Sequence, residues 1–408
     1  MGTYKELSDS DIRATRSFLN QLVDFVEQDI SGSSTRKSYQ VFVTGGIGPG
    51  VTSSLFQTVF DQDYTLQTSN ALFDMTVGLY SGSATVATAS TGQDANGKLL
   101  FSSQSLMMRE KVNIYRQYAQ LLKGNADTTF TAPFSNPGTD DTIDEALFIN
   151  FKRLFVRDGV KRETFAMKFY QSASDADLTS KNNIYATALD PASGSAIFTD
   201  VGSSTSIENS ETGGGVGNLV DASNTSRTVG LMFYNQGIAV LDLKKIVSAS
   251  QHMSGVISAM SNVTDSDAST GQTVMGSASG NPTAKFIPDF VTSGSIDNII
   301  DHISTSRFSS GSLTTMTFQN NTIINSTIAY CRATADEFNY STNPTYTDTE
   351  GRIVVVDQGQ EGNQKSFSFI TSIGLFDAND ELLAVAKLSR PVEKNDEKDL
   401  TFNVRLDF

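Results

Sequence analysis

Hydrophobic residues near the start of the chain recur at the spacing of one helix face. Ser8 and Asp9 are suited to cap the start of a helix, and the polar residues 31–34 are suited to end it. The pattern therefore predicts an amphipathic helical arm over residues 1–35, packed either on its own domain or on a neighbouring subunit. The positions on the apolar stripe are Ile12, Thr15, Leu19, Leu22, Val23, Val26 and Ile30.

Two stronger helices are predicted next, and they make residues 36–170 an α+β domain. The first helix stops at Gly124, a residue type common just after a helix, and the second stops before Gly159. Strand patterns are predicted at 39–43, 67–80 and 164–170. The apolar faces of the two helices consist of Met108, Val112, Tyr115, Ala119 and Leu122, and of Leu147, Phe151, Leu154 and Phe155.

From residue 171 the pattern changes to short strands between Ser-, Gly- and Asp-rich stretches, such as 203–224 and 261–281. Apolar and polar residues then alternate over 367–375 and 400–408, which is typical of strands with one buried face. The turn at 377–380 predicts a hairpin with 382–388. We therefore expect a loop-rich, mainly antiparallel β domain over 171–408, ending in a hairpin and a C-terminal strand. Further strands are predicted at 184–189, 196–201, 229–243, 313–331 and 352–357.

The fold class predicted for the whole chain is α+β, with an N-terminal helical/β portion followed by the loop-rich β portion. The composition narrows the classes of function. The chain has 408 residues and a net charge of -15, which argues against nucleic acid or an anionic membrane as a partner. Its single cysteine excludes a disulfide scaffold and a cysteine zinc cluster. No apolar run is long enough to span a bilayer, and no secretory signal is visible.

Candidate chemical motifs are few. The glycine-rich stretch 45–50 resembles a phosphate loop, but it lacks the terminal Lys-Ser/Thr, and Pro49 removes one N–H donor. The glycine run 213–217 lies in a predicted loop rather than between a strand and a helix. His252 and His302, the only histidines, are predicted to be structural. We therefore predict no catalytic residue, no metal ligand and no cofactor, and a protein that is not an enzyme.

Six blocks of sequence carry a family resemblance: residues 70–80, 143–154, 229–240, 337–344, 370–388 and 404–408. They include NALFDMTVGLY and ITSIGLFDANDELLAVAKL, and together they resemble virion structural proteins of contractile-tailed bacteriophages, especially large phages of marine and cyanobacterial hosts. The resemblance implies a subunit of the tail or baseplate, assembled in the host cytoplasm, with other virion proteins as partners in a homo- or hetero-oligomer. It transfers no active site.

The main hypothesis is a structural baseplate subunit that acts through its interfaces. A tail-fibre adaptor, a neck component and a capsid decoration protein are alternatives of the same class. A receptor- or carbohydrate-binding tail protein is an alternative of another class, and a hydrolase would depend only on the abundant carboxylates. The candidate interface residues are Leu19, Leu22 and Val26 in the arm, Ile373, Leu375, Leu383 and Val385 in the hairpin, and Phe408 at the end.

Overall fold

The computed structural model describes most of the chain, and the account that follows concerns those residues alone. They divide into two compact units: unit 1 comprises Met1–Leu19 and Ile323–Phe408, and unit 2 comprises Asn20–Thr322. The described residues are 4–25, 55–60, 67–68, 70–90, 105–132, 142–171, 195–205, 208–211, 213–247, 251–254, 272–275, 286–297, 299–300, 303, 316–354, 356–357, 359–360 and 362–408.

Strands dominate the described residues, so the fold is mostly β and the predicted α+β class is wrong. The strands are β1 (Ile12–Phe25), β2 (Gln57–Phe60), β3 (Ala71–Leu79), β4 (Phe130–Thr131), β5 (Thr142–Ile143), β6 (Glu145–Phe151), β7 (Gly159–Val160), β8 (Ala166–Tyr170), β9 (Ser195–Thr199), β10 (Glu208–Asn209), β11 (Gly215–Asp221), β12 (Asn224–Phe233), β13 (Ile238–Asp242), β14 (Gln251–Ser254), β15 (Gln272–Met275), β16 (Met316–Ala333), β17 (Ser368–Phe376), β18 (Leu382–Lys394) and β19 (Leu400–Asp407).

The helices are α1 (Ala84–Ser90), α2 (Leu106–Lys123), α3 (Arg153–Val156), α4 (Leu243–Ile246) and α5 (Val291–Ser293), with helical turns at Asp9–Asp11 and Phe286–Phe290. Only α2 is long. The described residues contain no helix that is long and apolar enough to cross a membrane.

Unit 2 is built on a large antiparallel sheet. Its strands follow the order β16-β8-β9-β11-β12-β13-β6-β3-β2, and every pair in that series is antiparallel. β1 lies beside β16, and the boundary between the two units falls inside both of these strands. The predicted loop over 203–224 contains β10 and β11, so this stretch is part of the sheet.

The second predicted helix is wrong, because its first half forms the central strand β6. Leu147 lies opposite Val77 of β3 and Leu241 of β13, and all of β6 except Asn150 is buried. A strand covered on both faces has a continuous apolar run, which has no period to distinguish it from a buried helix. Only Arg153–Val156 forms a helical turn, and Leu154 there is exposed.

The first predicted helix is confirmed as α2. The Ser105 hydroxyl accepts a hydrogen bond from the Met108 N–H at 3.3 Å, and Gly124 ends the helix in the left-handed conformation. The helix packs on β3 at Gly78, where a Cβ would lie only 2.9 Å from the Tyr115 Cα. A glycine at position 78 therefore allows the helix backbone to approach the sheet.

The predicted N-terminal helical arm is wrong, because the chain forms β1 after a single turn. Ser8 does precede a helical turn, and the Asp11 carboxylate accepts hydrogen bonds from the Ser8 backbone N–H at 3.2 Å and from the Ser8 hydroxyl at 2.7 Å. The backbone becomes extended at Ile12, however, and the Gln21 N–H donates to the Asn320 Oδ1 of β16 at 3.1 Å. Phe25 at the end of β1 packs against four phenylalanine rings of unit 2. Contacts distant in sequence therefore override the helical spacing.

Several other strand predictions are confirmed, namely those now seen as β3, β8, β9, β16, the β17–β18 hairpin and β19. The prediction at 229–243 corresponds to two strands, β12 and β13. The predicted strand at 352–357 is wrong, since its described residues contain only one isolated bridge, between Thr347 and Ile353. The predicted strands at 39–43 and 184–189 lie outside the described residues.

Candidate interaction surface

The β17–β18 hairpin of unit 1 is closed by a turn whose geometry is set by one side chain. The Asp377 carboxylate accepts hydrogen bonds from the backbone N–H groups of Asn379 and Glu381, both at 2.8 Å. The hydrogen bond from Glu381 is the main reason why the pKa of Asp377 lies below its usual value. An acidic residue at position 377 is therefore explained by the geometry of the turn.

The base of the hairpin is held by a buried lysine at the end of β18. Lys394 is completely buried, and its ammonium donates to the Asn339 Oδ1 at 2.7 Å, to the Asn395 carbonyl at 2.8 Å and to the Ala335 carbonyl at 3.2 Å. On the other strand the Ser368 hydroxyl donates to the Phe338 carbonyl at 2.8 Å. The three donors of Lys394 are thus satisfied, and the hairpin is tied to the chain that precedes it.

The hairpin presents large apolar side chains to solvent. Leu383 is 67% exposed, Val385 and Leu382 are each 54% exposed, and Phe376 is 40% exposed. We call these four residues the hairpin patch. Tyr4 packs edge-on against Phe376, with 5.0 Å between the ring centroids. Contiguous exposed apolar side chains of this kind are a mark of interaction sites.

The four candidate residues predicted in the hairpin divide into two groups. Ile373 and Leu375 of β17 lie opposite Ala386 and Ala384 of β18, and both are half-buried. Leu383 and Val385 are the exposed pair. Sequence reasoning missed Phe376 and Leu382, although both are apolar residues flanking a polar turn, a signal that could have identified them.

The edges of the hairpin differ in charge. β17 contains no charged residue, whereas β18 carries Lys387, Arg390, Glu393 and Lys394, together with Pro391. Among the described residues these two strands form a separate two-stranded sheet, so neither outer edge has a strand partner there. Charge and proline are the usual protection of an edge strand, and β17 has neither.

The remaining candidates lie elsewhere. Leu19 and Leu22 of β1 are 50% and 64% exposed, but an odd spacing places them on opposite faces of the strand, so the predicted common stripe does not exist. Val26 lies outside the described residues. Phe408 is 76% exposed, yet its backbone N–H and carbonyl both bond to Asn325, so the end of the chain is held in place.

A cluster of ionisable side chains lies at one end of the central strands of unit 2. Glu145 is completely buried, accepts a hydrogen bond from the Thr85 hydroxyl, and lies 2.9 Å from the Lys244 ammonium. Asp242 caps α4 by accepting from the Lys244 N–H at 3.0 Å, and burial raises the pKa of Asp242 to about 6. A raised pKa is common in general acids, but here Asp242 serves as a helix cap and Glu145 forms an ion pair with Lys244.

A second polar cluster surrounds the buried Asp200. Its carboxylate accepts hydrogen bonds from the backbone N–H groups of Glu163 and Phe165 at 2.7 and 3.0 Å, and from the Tyr234 hydroxyl at 2.9 Å. The Arg162 guanidinium lies over the Tyr234 ring, 4.9 Å from its centroid. Burial raises the pKa of Asp200 and also that of Tyr234, the opposite of what activates a tyrosine nucleophile. The arrangement joins strands and loops of unit 2.

The glycine run 213–217 lies against this second cluster, because a Cβ at Gly217 would lie 2.5 Å from the Tyr234 hydroxyl, and its last three residues begin β11. Among the described residues, no group of three or more His, Cys, Asp or Glu side chains is arranged to hold a metal ion. Comparison of the chain with protein-family models, with curated proteins and with solved structures finds no match.

Proposed function

We propose that this chain is a non-enzymatic structural subunit of a contractile phage tail, within the baseplate, and that the unit 1 hairpin is one of its assembly surfaces. The observation that carries the proposal is the hairpin patch, which displays four large apolar side chains on a hairpin with a firmly hydrogen-bonded base. The family resemblance of residues 370–388, which lie in this hairpin, supports the same function.

The apolar surface that the hairpin patch exposes to water favours an assembly role. Burying apolar surface releases about 25 cal/mol per Å², so side chains such as Leu383 would contribute about 1 kcal/mol or more each if a partner covered them. Permanent structural interfaces bury about 2,000 Å² or more, so the patch would be one part of a larger contact.

The two polar clusters of unit 2 support a non-enzymatic role. Their carboxylates are engaged with backbone N–H groups, hydroxyls and lysines that belong to the fold. A substrate would have to displace these partners, at a cost of about 1–3 kcal/mol for each buried group left unpaired.

The test is a cryo-EM map of purified phage particles that encode the chain, combined with a peptide inventory of the same particles. We expect density that fits units 1 and 2 in several symmetric copies at the baseplate, with the hairpin patch against a neighbouring subunit. Density at the neck, the fibre attachment or the capsid would favour one of those structural alternatives. Absence of the chain from purified particles would overturn the proposal.

A second experiment tests the alternative that the chain is a receptor- or carbohydrate-binding tail protein. Purified chain is applied to an array of bacterial surface glycans, alongside a Leu383→Ser variant that changes the hairpin patch. We expect no saturable binding by either protein. Strong saturable binding by the isolated chain would instead favour a receptor-binding protein.

A further inference from the structure

A short basic loop of unit 2 extends the proposed assembly function to a second surface. Five of the 30 Lys and Arg residues lie at positions 152–162, together with a single carboxylate, Asp158. We call residues 152–162 the basic loop. We propose that the basic loop docks a carboxylate-bearing segment of a partner protein, and that Arg157 is its principal contact residue. The inference rests on the proposed function, because it names the chemistry of one assembly partner.

The first argument is the backbone conformation of Arg157, which directly follows α3. Its φ is 61° and its ψ is -114°. These angles are close to those of the first central residue of a type II′ turn, a position that glycine usually occupies because a Cβ is strained there. The strain costs free energy that glycine would avoid. An arginine in this conformation therefore indicates a use for its side chain.

The second argument is that most cations of the basic loop already have partners within unit 2. Their acceptors are carboxylates or a backbone carbonyl: Lys152 lies 2.6 Å from Asp74, Arg153 lies 3.4 Å from Asp158, and Arg162 donates to the Ser203 carbonyl at 2.9 Å. These three side chains are therefore engaged by the fold itself.

The two remaining cations are exposed and, in the described part of the chain, have no carboxylate within 4 Å. Lys161 donates to the uncharged Gln319 side chain of β16 at 3.0 Å, and Arg157 forms a bridge with Asn321 of the same strand through its backbone. They make this loop a positive site on a chain with a net charge of -15. A carboxylate suits such a site, because a guanidinium can donate two parallel hydrogen bonds to it.

The third argument is an apolar residue among the cations, which favours a protein partner over a nucleic acid. Leu154 is 59% exposed, and a phosphate backbone offers it no apolar surface. Binding to nucleic acid also depends on many cations that follow the phosphates, and the net charge of the chain repels a polyanion at long range. A protein segment that carries both carboxylates and apolar side chains fits both features.

The test is a binding measurement with the purified full-length chain. The probe is a fluorescein-labelled peptide of glutamate and leucine residues, and its fluorescence anisotropy at low salt reports binding. We expect Arg157→Gln to weaken peptide binding by about tenfold or more. Arg109→Gln makes the same charge change at an exposed position of α2 and should leave the affinity unchanged. Absence of peptide binding by the wild-type chain, or an equal loss in Arg109→Gln, would overturn the inference.

A single-stranded DNA of the same length as the peptide distinguishes the two classes of anionic partner. We expect the wild-type chain to bind this DNA more weakly than the peptide. DNA binding that is as tight as peptide binding and is lost in Arg157→Gln would overturn the inference in favour of a nucleic-acid site.

A glycine at position 157 distinguishes a docking residue from a structural one. Arg157→Gly relieves the backbone strain and removes the side chain. We therefore expect this variant to unfold at the wild-type temperature or above it, and to lose peptide affinity as Arg157→Gln does. A lower unfolding temperature would mean that the chain itself holds the arginine side chain, and it would overturn the inference.

The two proposals fail in different ways. A chain that is present in purified particles but does not bind the acidic peptide would overturn the docking inference and leave the structural role intact. A chain that binds the peptide through Arg157 but is absent from particles would overturn the structural role and support the docking site.

Discussion

The two units place phenylalanine side chains in opposite environments, enclosed in unit 2 and exposed in unit 1. In unit 2, a network of ring contacts with centroid distances of 5.1 to 6.3 Å joins Phe25, Phe73, Phe151 and Phe318, and none of these residues is more than 5% exposed. In unit 1, Phe369 and Phe408 are 56% and 76% exposed. A large aromatic side chain contributes to folding when it is enclosed, and it remains available for binding when it is not.

Exposure in unit 1 does not reflect a poorly specified fold. Each unit contains a completely buried lysine whose ammonium donates to three oxygen atoms. Lys111 in unit 2 donates to the carbonyls of Val291, Thr292 and Gly294, as Lys394 does in unit 1 to its own acceptors. Buried charges are tolerated only when they are fully hydrogen-bonded, so both sites demand exact local structure. The comparison indicates that unit 1 is built firmly but leaves apolar surface uncovered.

The largest expected difference between the units comes from removing one ring in each. Phe148 is completely buried and stacks on Tyr118, with 4.0 Å between the centroids. Phe148→Ala should lower the free energy of unfolding by about 4 kcal/mol, because it leaves a cavity. Phe369→Ala should cost less than about 1 kcal/mol. Denaturant unfolding at a dilution where the chain is monomeric measures both, and equal losses would contradict the comparison.

The two buried lysines should behave alike at pH 6, which lies below the pKa of Lys111 that burial lowers to about 7. Lys111→Met and Lys394→Met each leave three oxygen acceptors without their donor, and each should lower the free energy of unfolding by about 3 kcal/mol. Arg109→Met and Arg390→Met are the matched controls, because both arginines are exposed on the same elements, α2 and β18. If Lys394→Met were as mild as its control, unit 1 would be less firmly built than we conclude.

The pH dependence of stability should have opposite signs at two aspartates. The folded-state pKa of Asp242 is raised to about 6, above the unfolded value of about 3.9, so the folded state binds this proton more tightly. The contribution of Asp242 to stability is therefore greatest below pH 4 and declines as the pH rises to about 6, by about 2–3 kcal/mol. Unfolding of Asp242→Asn at a series of pH values should lack this decline.

Asp377 in the hairpin turn provides the opposite control. Its pKa is lowered by the backbone hydrogen bond from Glu381, so its contribution is present above the unfolded pKa and is lost as the pH falls through the folded pKa. Asp377→Asn should therefore weaken the acid sensitivity of unit 1. For Asp242, the contradicting outcome is that the free energies of unfolding of the wild-type chain and of Asp242→Asn change in parallel between pH 4 and 7.

The smallest effect on stability is expected in the hairpin patch. Leu383 is 67% exposed, so Leu383→Ser should change the free energy of unfolding by no more than about 0.5 kcal/mol. Leu375→Ser, at a half-buried position on the facing strand, should cost more. Thermal unfolding of both variants measures the difference. A loss above about 1 kcal/mol for Leu383→Ser would mean that the patch supports the fold itself.

The elements predicted correctly are those whose local pattern suffices to define them. α2 carries an apolar face over several turns with a stop at Gly124, and the hairpin combines alternation with an Asp-Asn turn. In both, hydrogen bonds between residues close in sequence account for the element. Ile373, Leu375, Leu383 and Val385 were assigned to the hairpin by this local pattern, without knowledge of their exposure.

The errors in the fold occur where distant residues determine the conformation. The spacing around Leu19 and Leu22 fits a helix, but β16 supplies a strand partner for this segment, with Asn320 accepting from the Gln21 N–H. β6 became a strand because β3 and β13 flank it on both edges. Neither partner can be inferred from a short apolar window.

The amino-acid sequence by itself therefore establishes the acidic composition of the chain, the helix α2 and the β17–β18 hairpin. The tertiary structure establishes which apolar side chains are buried and which strand edges have a partner among the described residues. Phe148 in β6 and Phe369 in β17 are both phenylalanines on strands, yet the first is completely buried and the second is 56% exposed, because the residues around them differ. Burial is a property of packing between distant segments, and among the described residues no strand pairs with the outer edge of β17.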